Sequence, residues 1–388
     1  MVIPQYVSNV INTLLQNGYE AFVVGGCVRD TLLGIKPCDW DVTTNALPHE
    51  TIRVFGEENT VPVGISHGTV GVKSPGGLVE VTTYRIDGSY ADFRHPTEVS
   101  FSRSLADDLM RRDFTVNAMA YSPRTGLIDN FDGRTDLEKK TIRAVGEPDL
   151  RFGEDALRIM RALRFAAVLG FEIEEETSKS IKRLYPNLKH IAKERITAEF
   201  TKLILAENPE EILVNFSEVF SFLFGADLPL WQRSAESIAN ATAELPVRLA
   251  LLFEEFEALP DFLILPNDTV KKIRLLLKHK STLPKGDRVA IKKLLSIIDT
   301  EGFELLIEFH KAKGNPLEEA TQNYKDIITN GECFRLGDLK VSGDDLIEST
   351  HLRGTQIGTA LKTLLDAVIE EKCRNTKEEL IEYLKRPN

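Results

Sequence analysis

Gly25-Gly26-Cys27-Val28-Arg29-Asp30 follows the apolar run Ala21-Phe22-Val23-Val24 and is followed at short range by Asp39-Trp40-Asp41. The apolar run predicts a buried strand, and residues 28–33 a short helix closed by Gly34. Gly25 and Gly26 then fall in a strand-to-helix turn, where missing Cβ atoms let backbone N–H groups reach an anionic oxygen at the helix N-terminus. Arg29 lies one step inside that helix. Asp39 and Asp41 are two residues apart, so on a strand both carboxylates point to one face while Trp40 and Val42 point to the other. Such a pair beside a phosphate-binding turn suits Mg²⁺, which is held by one or two carboxylates plus substrate phosphates. Alone, a Gly-Gly turn or an Asp-x-Asp pair is commonplace. A strand, turn, helix, loop and strand carrying both together point to nucleotidyl transfer.

Two later segments supply what such a site needs. Arg111-Arg112-Asp113-Phe114-Thr115-Val116-Asn117-Ala118 follows an expected helix over 105–110 and precedes an apolar strand over 119–121. Adjacent guanidiniums suit phosphate or ribose oxygens, and a neighbouring carboxylate accepts from ribose hydroxyls; a local Arg112–Asp113 ion pair is the plain alternative. Residues 154–170 are expected as one helix. Glu154, Arg158 and Arg161 cluster on one face, Asp155 and Arg164 lie at its edges, and Leu157, Met160, Leu163 and Ala167 form the opposite stripe. In isolation this is an amphipathic surface helix whose Glu154–Arg158 pair is worth about 0.3–0.5 kcal/mol. Beside a triphosphate site it can do more. A carboxylate accepts from the exocyclic amine of cytosine or adenine and an Arg donates to the ring nitrogen or carbonyl, a pattern that rejects G and U.

The chain has 388 residues, enough for two to four packed units at roughly 100–200 residues per domain. Up to about Tyr121, short apolar or alternating runs alternate with helical patterns and predict a small mixed sheet; beyond about Asp136 the pattern is helical almost throughout. An α+β class follows. The four cysteines, Cys27, Cys38, Cys333 and Cys373, have no metal-ligand spacing and read as reduced thiols. No stretch approaches the about 20 apolar residues of a membrane span, and the N-terminus lacks the features of a signal peptide, so a cytoplasmic protein without a membrane partner is expected. The net charge of -11 argues against indiscriminate coating of nucleic acid. From Lys271 to Lys293, however, the chain carries Lys271, Lys272, Arg274, Lys278, Lys280, Lys285, Arg288, Lys292 and Lys293 against Asp287 alone. That local basic stretch, with Lys278, Lys280, Lys285 and Arg288 foremost, is the expected RNA contact.

The turn with its aspartates, the Arg-Arg-Asp segment, Glu154-Asp155-Ala156-Leu157-Arg158-Ile159-Met160-Arg161 and Glu194-Arg195-Ile196 occur in the order and at the spacing of a known family. The chain resembles the polymerase-β-type nucleotidyltransferases and, within them, the bacterial class II tRNA nucleotidyltransferases, the CCA-adding enzymes. The resemblance implies a small mixed-sheet catalytic head (1–138) followed by an all-α neck (139–207), body (208–275) and tail (276–388). It implies Mg²⁺ on Asp39 and Asp41, the triphosphate on Gly26 and Arg29, the ribose on Arg112 and Asp113, and the base on Asp155 and Arg158. Arg161 and Arg164 would fix that pair and approach phosphates, with Asn117 and 194–199 as supports. A third carboxylate is usual in the superfamily, and Glu80 is the best-placed candidate, a solvent-facing strand Glu being the equal alternative. Residues 86–96 occupy the place of a flexible loop needed to switch from C to A addition. The implied partners are tRNA, CTP and ATP, with the chain a monomer or homodimer. CC-only or A-only addition, poly(A) polymerisation and a catalytically silent RNA-binding protein are the competing readings. The last has no use for Asp39 and Asp41 beside a triphosphate turn, and the segment 62–68 lacks the Arg-Arg-Phe pattern expected of a poly(A) polymerase.

Overall fold

The computed structural model describes residues 1–87, 99–225, 227–350 and 352–386. The loop expected over 86–96 therefore lies, from residue 88 onward, outside the described residues.

The chain forms two compact units, Met1–Leu228 with Pro260–Ile264, and Pro229–Leu259 with Leu265–Asn388. In the first, helix α1 (Gln5–Gln16) leads into a mixed seven-stranded sheet. Its strands are β1 (Ala21–Val24), β2 (Asp41–Thr44), β3 (Thr60–Gly64), β4 (Thr69–Ser74), β5 (Gly77–Thr83), β8 (Met119–Ser122) and β9 (Gly126–Asp129), in the order β3-β4-β5-β2-β1-β8-β9. A separate hairpin joins β6 (Arg85–Asp87) to β7 (Val99–Phe101). Only β2 and β5 run parallel within the large sheet, and their register sets Asp41 opposite Glu80. Helices α2 (Gly26–Leu32), α3 (Pro48–Phe55) and α4 (Leu105–Met110) lie between the strands in sequence. The core between sheet and α4 includes Phe22, Val24, Tyr84, Leu109 and Ala120.

The helical part begins with α5 (Gly133–Glu138), α6 (Pro148–Glu154), α7 (Leu157–Leu169), α8 (Glu175–Leu184) and α9 (Lys193–Ile204). A two-stranded parallel ladder, β10 (Thr141–Ile142) with β11 (Glu172–Ile173), is added to it. The Arg-Arg-Asp segment is sewn to this part by the backbone: the Thr115 N–H donates to the Arg143 carbonyl at 2.9 Å and the Val145 N–H to the Asp113 carbonyl at 3.1 Å. Helix α7 packs against α9. The single helix expected over 154–170 is in fact two. Glu154 ends α6, Asp155 is extended (φ −136°, ψ 103°), and α7 starts at Leu157.

Helices α10 (Pro209–Asn215) and α11 (Ser217–Phe224) complete this unit. The second unit holds α12 (Leu228–Glu236), α13 (Leu245–Leu252), α14 (Asn267–Lys278), α15 (Arg288–Ala312), α16 (Glu318–Thr329), α17 (Gly343–Ser349), α18 (Thr355–Ile369) and α19 (Lys377–Lys385). Pro209 in α10 and Pro246 in α13 sit in first turns, where the missing N–H costs nothing. No helix among the described residues is long and apolar enough to cross a membrane.

Candidate active site

Gly25 turns the chain out of β1 with φ 81°, and a Cβ there would lie 3.1 Å from Arg112 Nη1. Glycine is required twice, for the dihedral and for the close approach of a guanidinium. Helix α2 follows at once, two residues earlier than expected. Behind the turn, Cys27 donates its thiol to the Val24 carbonyl at 3.4 Å, and burial pushes it up to about 11. A thiol so held is packing rather than a nucleophile.

Asp39 lies two residues before β2, outside any helix or strand, and Asp41 is the first residue of that strand. Trp40 and Val42 are buried behind them, the alternation that sends the two carboxylates to one face. Burial raises the Asp41 carboxyl to about 6, helped by the negative charges of Asp39 and Glu80 and opposed by Arg112. Like charges brought together in this way call for a cation. Among the described residues no three His, Cys, Asp or Glu side chains converge on one metal position. The donor set of Asp39 and Asp41 therefore fits a hard divalent ion that takes its remaining oxygens from nucleotide and water.

Arg111 and Arg112 are aimed by a residue the sequence reading passed over. Asp108 on α4 is fully buried and accepts from Arg111 Nη2 at 2.6 Å, Arg112 Nη2 at 3.2 Å and Thr43 Oγ1 at 3.2 Å. Its spacing of three and four residues from the two arginines was the available signal. Among the described residues the buried Arg112 Nε has no hydrogen-bond partner. Asp113 is committed elsewhere: it accepts from the Phe114 N–H at 2.8 Å, from Asn117 Nδ2 at 3.2 Å and from Arg161 Nε at 2.8 Å. Burial alone would raise its carboxyl, but Arg161 and these hydrogen bonds outweigh it and hold it down to about 2.

Around the break between α6 and α7, Asp155 and Arg158 are not paired with each other. Asp155 Oδ1 accepts from the Leu157 N–H at 3.0 Å and Oδ2 pairs with Arg195 Nη2 at 3.0 Å. Arg158 donates to Glu154 Oε2 at 2.6 Å and to the carbonyls of Arg151 and Arg111 at 3.2 and 2.9 Å. Arg151 in turn pairs with Glu154 Oε1 at 2.6 Å. Arg161 lies 3.9 Å from Glu199, and Arg164 pairs with Glu199 at 2.6 Å. Both guanidiniums, with that of Arg29, surround the Phe165 ring at 5.4, 3.9 and 5.0 Å. The segment 194–199, expected as a support, thus supplies Arg195 to Asp155 and Glu199 to Arg164, and Phe165 is a partner reached only through the fold.

The basic stretch of the second unit is less bare than its sequence. Lys272 pairs with Asp268 and Glu301, Arg288 and Lys292 with Glu332, and Lys293 with Glu370, while Lys280 donates to the Glu254 carbonyl. Among the described residues, exposed Lys271, Arg274, Lys278 and Lys285 have no such carboxylate. The first three recur on one face of α14.

Known proteins resemble this chain from end to end. The Poly A polymerase head domain family matches residues 21–143, and a second-domain family of tRNA nucleotidyltransferases matches 263–384. The CCA-adding enzyme of Leuconostoc citreum is 38% identical over 95% of this chain and 92% of its own length, and that of Enterococcus faecalis 36% identical over 97% and 94%. The crystal structure of the Bacillus stearothermophilus CCA-adding enzyme in complex with CTP superposes with a TM-score of 0.85 at 32% identity, over 99% of this chain and 98% of that one.

Proposed function

The chain belongs to the CCA-adding enzymes, and from that premise we propose that it extends tRNA 3′ ends by C, C and A from CTP and ATP, without a nucleic-acid template, releasing pyrophosphate. The observation that carries this reading is the register of Asp41 with Glu80 beside Asp39 and the Gly25 turn, which gathers carboxylates where a triphosphate would bind. The Gly25–Gly26 turn and Arg29 hold the triphosphate. Arg112, whose Nε lacks a partner among the described residues, turns to the ribose or α-phosphate, with Asp108 fixing its direction. A divalent ion such as Mg²⁺, when held by Asp39 and Asp41, supplies charge neutralisation at the α-phosphate and activates the attacking hydroxyl. The tRNA 3′-oxygen forms a bond to the α-phosphorus as the bond to pyrophosphate breaks; Glu80, across from Asp41, is placed to take the hydroxyl proton.

Base choice falls to Asp155 and Arg158. Asp113 acts through Arg161, and Arg164 through Glu199. Because Asp155 and Arg158 rest on Arg195 and Glu154, they must exchange those partners for a base edge. A tRNA substrate implies a cytoplasmic site of action. The reading is tested by incubating the protein with tRNA that lacks its 3′ CCA, with CTP, ATP or both, and resolving products to single nucleotides. Extension by CCA supports it. Extension by C alone, by A alone, or by a long A tract would each replace it.

The segment between β6 and β7 is proposed as the switch from C to A. Shortening 87–96 is expected to leave both C additions intact and to suppress the final A, read on the same gels; equal loss of both would make the segment a general part of the head.

The tRNA path is proposed to cross α14. Replacing Lys271, Arg274, Lys278 and Lys285 together with Ala should raise the KM for tRNA and flatten its salt dependence, each lost phosphate contact removing roughly 0.7–0.9 from the slope of log affinity against log salt. The KM for CTP should hold. Unchanged tRNA affinity at every salt concentration would make this a solvated face.

A further inference from the structure

We propose that Asn117 is a positioning residue that ties the triphosphate-gripping Arg29 to helix α7, so that the helix carrying the base-reading Arg158 also sets the alignment of the phosphate-binding guanidinium. This rests on the reading of the site given above.

The chain of contacts is continuous. Arg29 Nη1 donates to Asn117 Oδ1 at 2.7 Å, and Asn117 Nδ2 donates to Asp113 Oδ1 at 3.2 Å. Asp113 Oδ2 then accepts from Arg161 Nε, on α7, at 2.8 Å. Arg29, Asn117 and Asp113 are each at most 9% exposed, so water does not readily replace these bonds. The partners also dictate the side chain. Position 117 must accept from a guanidinium with one atom and donate to a carboxylate with the other, which an amide does and a carboxylate, hydroxyl or alkyl group of that size does not. Charge-assisted bonds in a dry setting are the strong kind. Asp30 takes the other side of Arg29, with Nε at 2.8 Å, and the Phe165 ring of α7 lies 5.0 Å from its Cζ. Arg29 is therefore held between its own helix and α7, and Asn117 is the hydrogen-bonded part of that second grip. Movement of α7 as Arg158 and Asp155 engage a base is transmitted to the triphosphate.

The test uses the full chain and measures single-nucleotide addition with CTP, ATP and UTP, CTP binding without tRNA, and the unfolding temperature. Asn117→Ala is expected to weaken CTP binding and raise the KM for CTP and ATP roughly 10–100-fold, the effect of a lost bond to a charged group, and to narrow the preference for CTP over UTP about tenfold. The KM for tRNA should stay the same. Asn117→Asp keeps an acceptor for Arg29 but sets like charges together at Asp113, so it should retain CTP binding within about threefold while losing the same preference. Combining Asn117→Ala with Arg29→Lys should be no worse than Arg29→Lys alone, because residues acting as one unit are not additive. A lower unfolding temperature with unchanged nucleotide KM and preference, or full additivity with Arg29→Lys, would overturn the proposal. If Asn117→Ala does not fold, the split expected of Asn117→Asp decides. Wild-type protein that fails to add CCA refutes the functional reading itself; wild-type addition with an indifferent Asn117 refutes only this inference.

Discussion

Asp41→Ala, and separately Asp39→Ala, is expected to abolish addition of both C and A, with turnover falling by about three orders of magnitude or more, while tRNA still binds. The size follows from the several kcal/mol that a metal-centred charge clamp contributes to phosphoryl chemistry, at about 1.4 kcal/mol per factor of ten. The two variants need not fail alike. Asp41 is locked into β2 opposite Glu80, whereas Asp39 stands before the strand, outside any helix or strand. Removing Asp41 also removes a carboxyl that burial, and then the charges of Asp39 and Glu80, raise to about 6, so the unfolding temperature of the variant should be measured beside its turnover. Asp41→Asn is the cleaner control, since it keeps the shape and loses the charge. Near-normal turnover of Asp41→Ala or Asp41→Asn in Mg²⁺ would remove these residues from the metal and leave the site without a catalytic centre.

Asp155→Ala is expected to cost selectivity. One good base contact carries about 1–3 kcal/mol, so the preference for CTP and ATP over UTP and GTP should shrink by one to two orders of magnitude. The structure adds a second readout. Asp155 also accepts from the Leu157 N–H at the start of α7 and holds Arg195, so its loss should lower the unfolding temperature. If the unfolding temperature falls while selectivity survives, Asp155 braces the helix and the base is read elsewhere. Arg195→Ala sharpens the distinction, because it frees Asp155 without removing the acceptor and should leave the preference largely in place.

Short-range physics makes much of this site legible along the chain. The β1-turn-α2 unit, the Asp39–Asp41 pair with Trp40 and Val42 behind it, and helix α4 before Arg111 follow from residues at most a few positions apart, with Gly25 demanding a positive φ. The break at Asp155 was missed because Glu154 and Leu157 both fit a helical period. Nothing in that period records that Arg195, forty residues on, competes for the carboxylate and holds it outside the helix.

By itself, then, the sequence determined the strand-turn-helix unit with its glycines, the Asp39–Asp41 pair turned away from Trp40 and Val42, the α+β order of elements and the membership that their spacing reveals, because covalent neighbours and backbone periodicity suffice for these. Tertiary structure alone decided which charges are free to act. Asp113 lies beside Arg112 in sequence yet serves Arg161, Asp108 aims Arg112, and the acids missing from the stretch 271–293 arrive as Glu301, Glu332 and Glu370. The reason is that Coulomb and hydrogen-bond partners are chosen by distance and burial in space, and folding brings to one place groups that the chain keeps far apart.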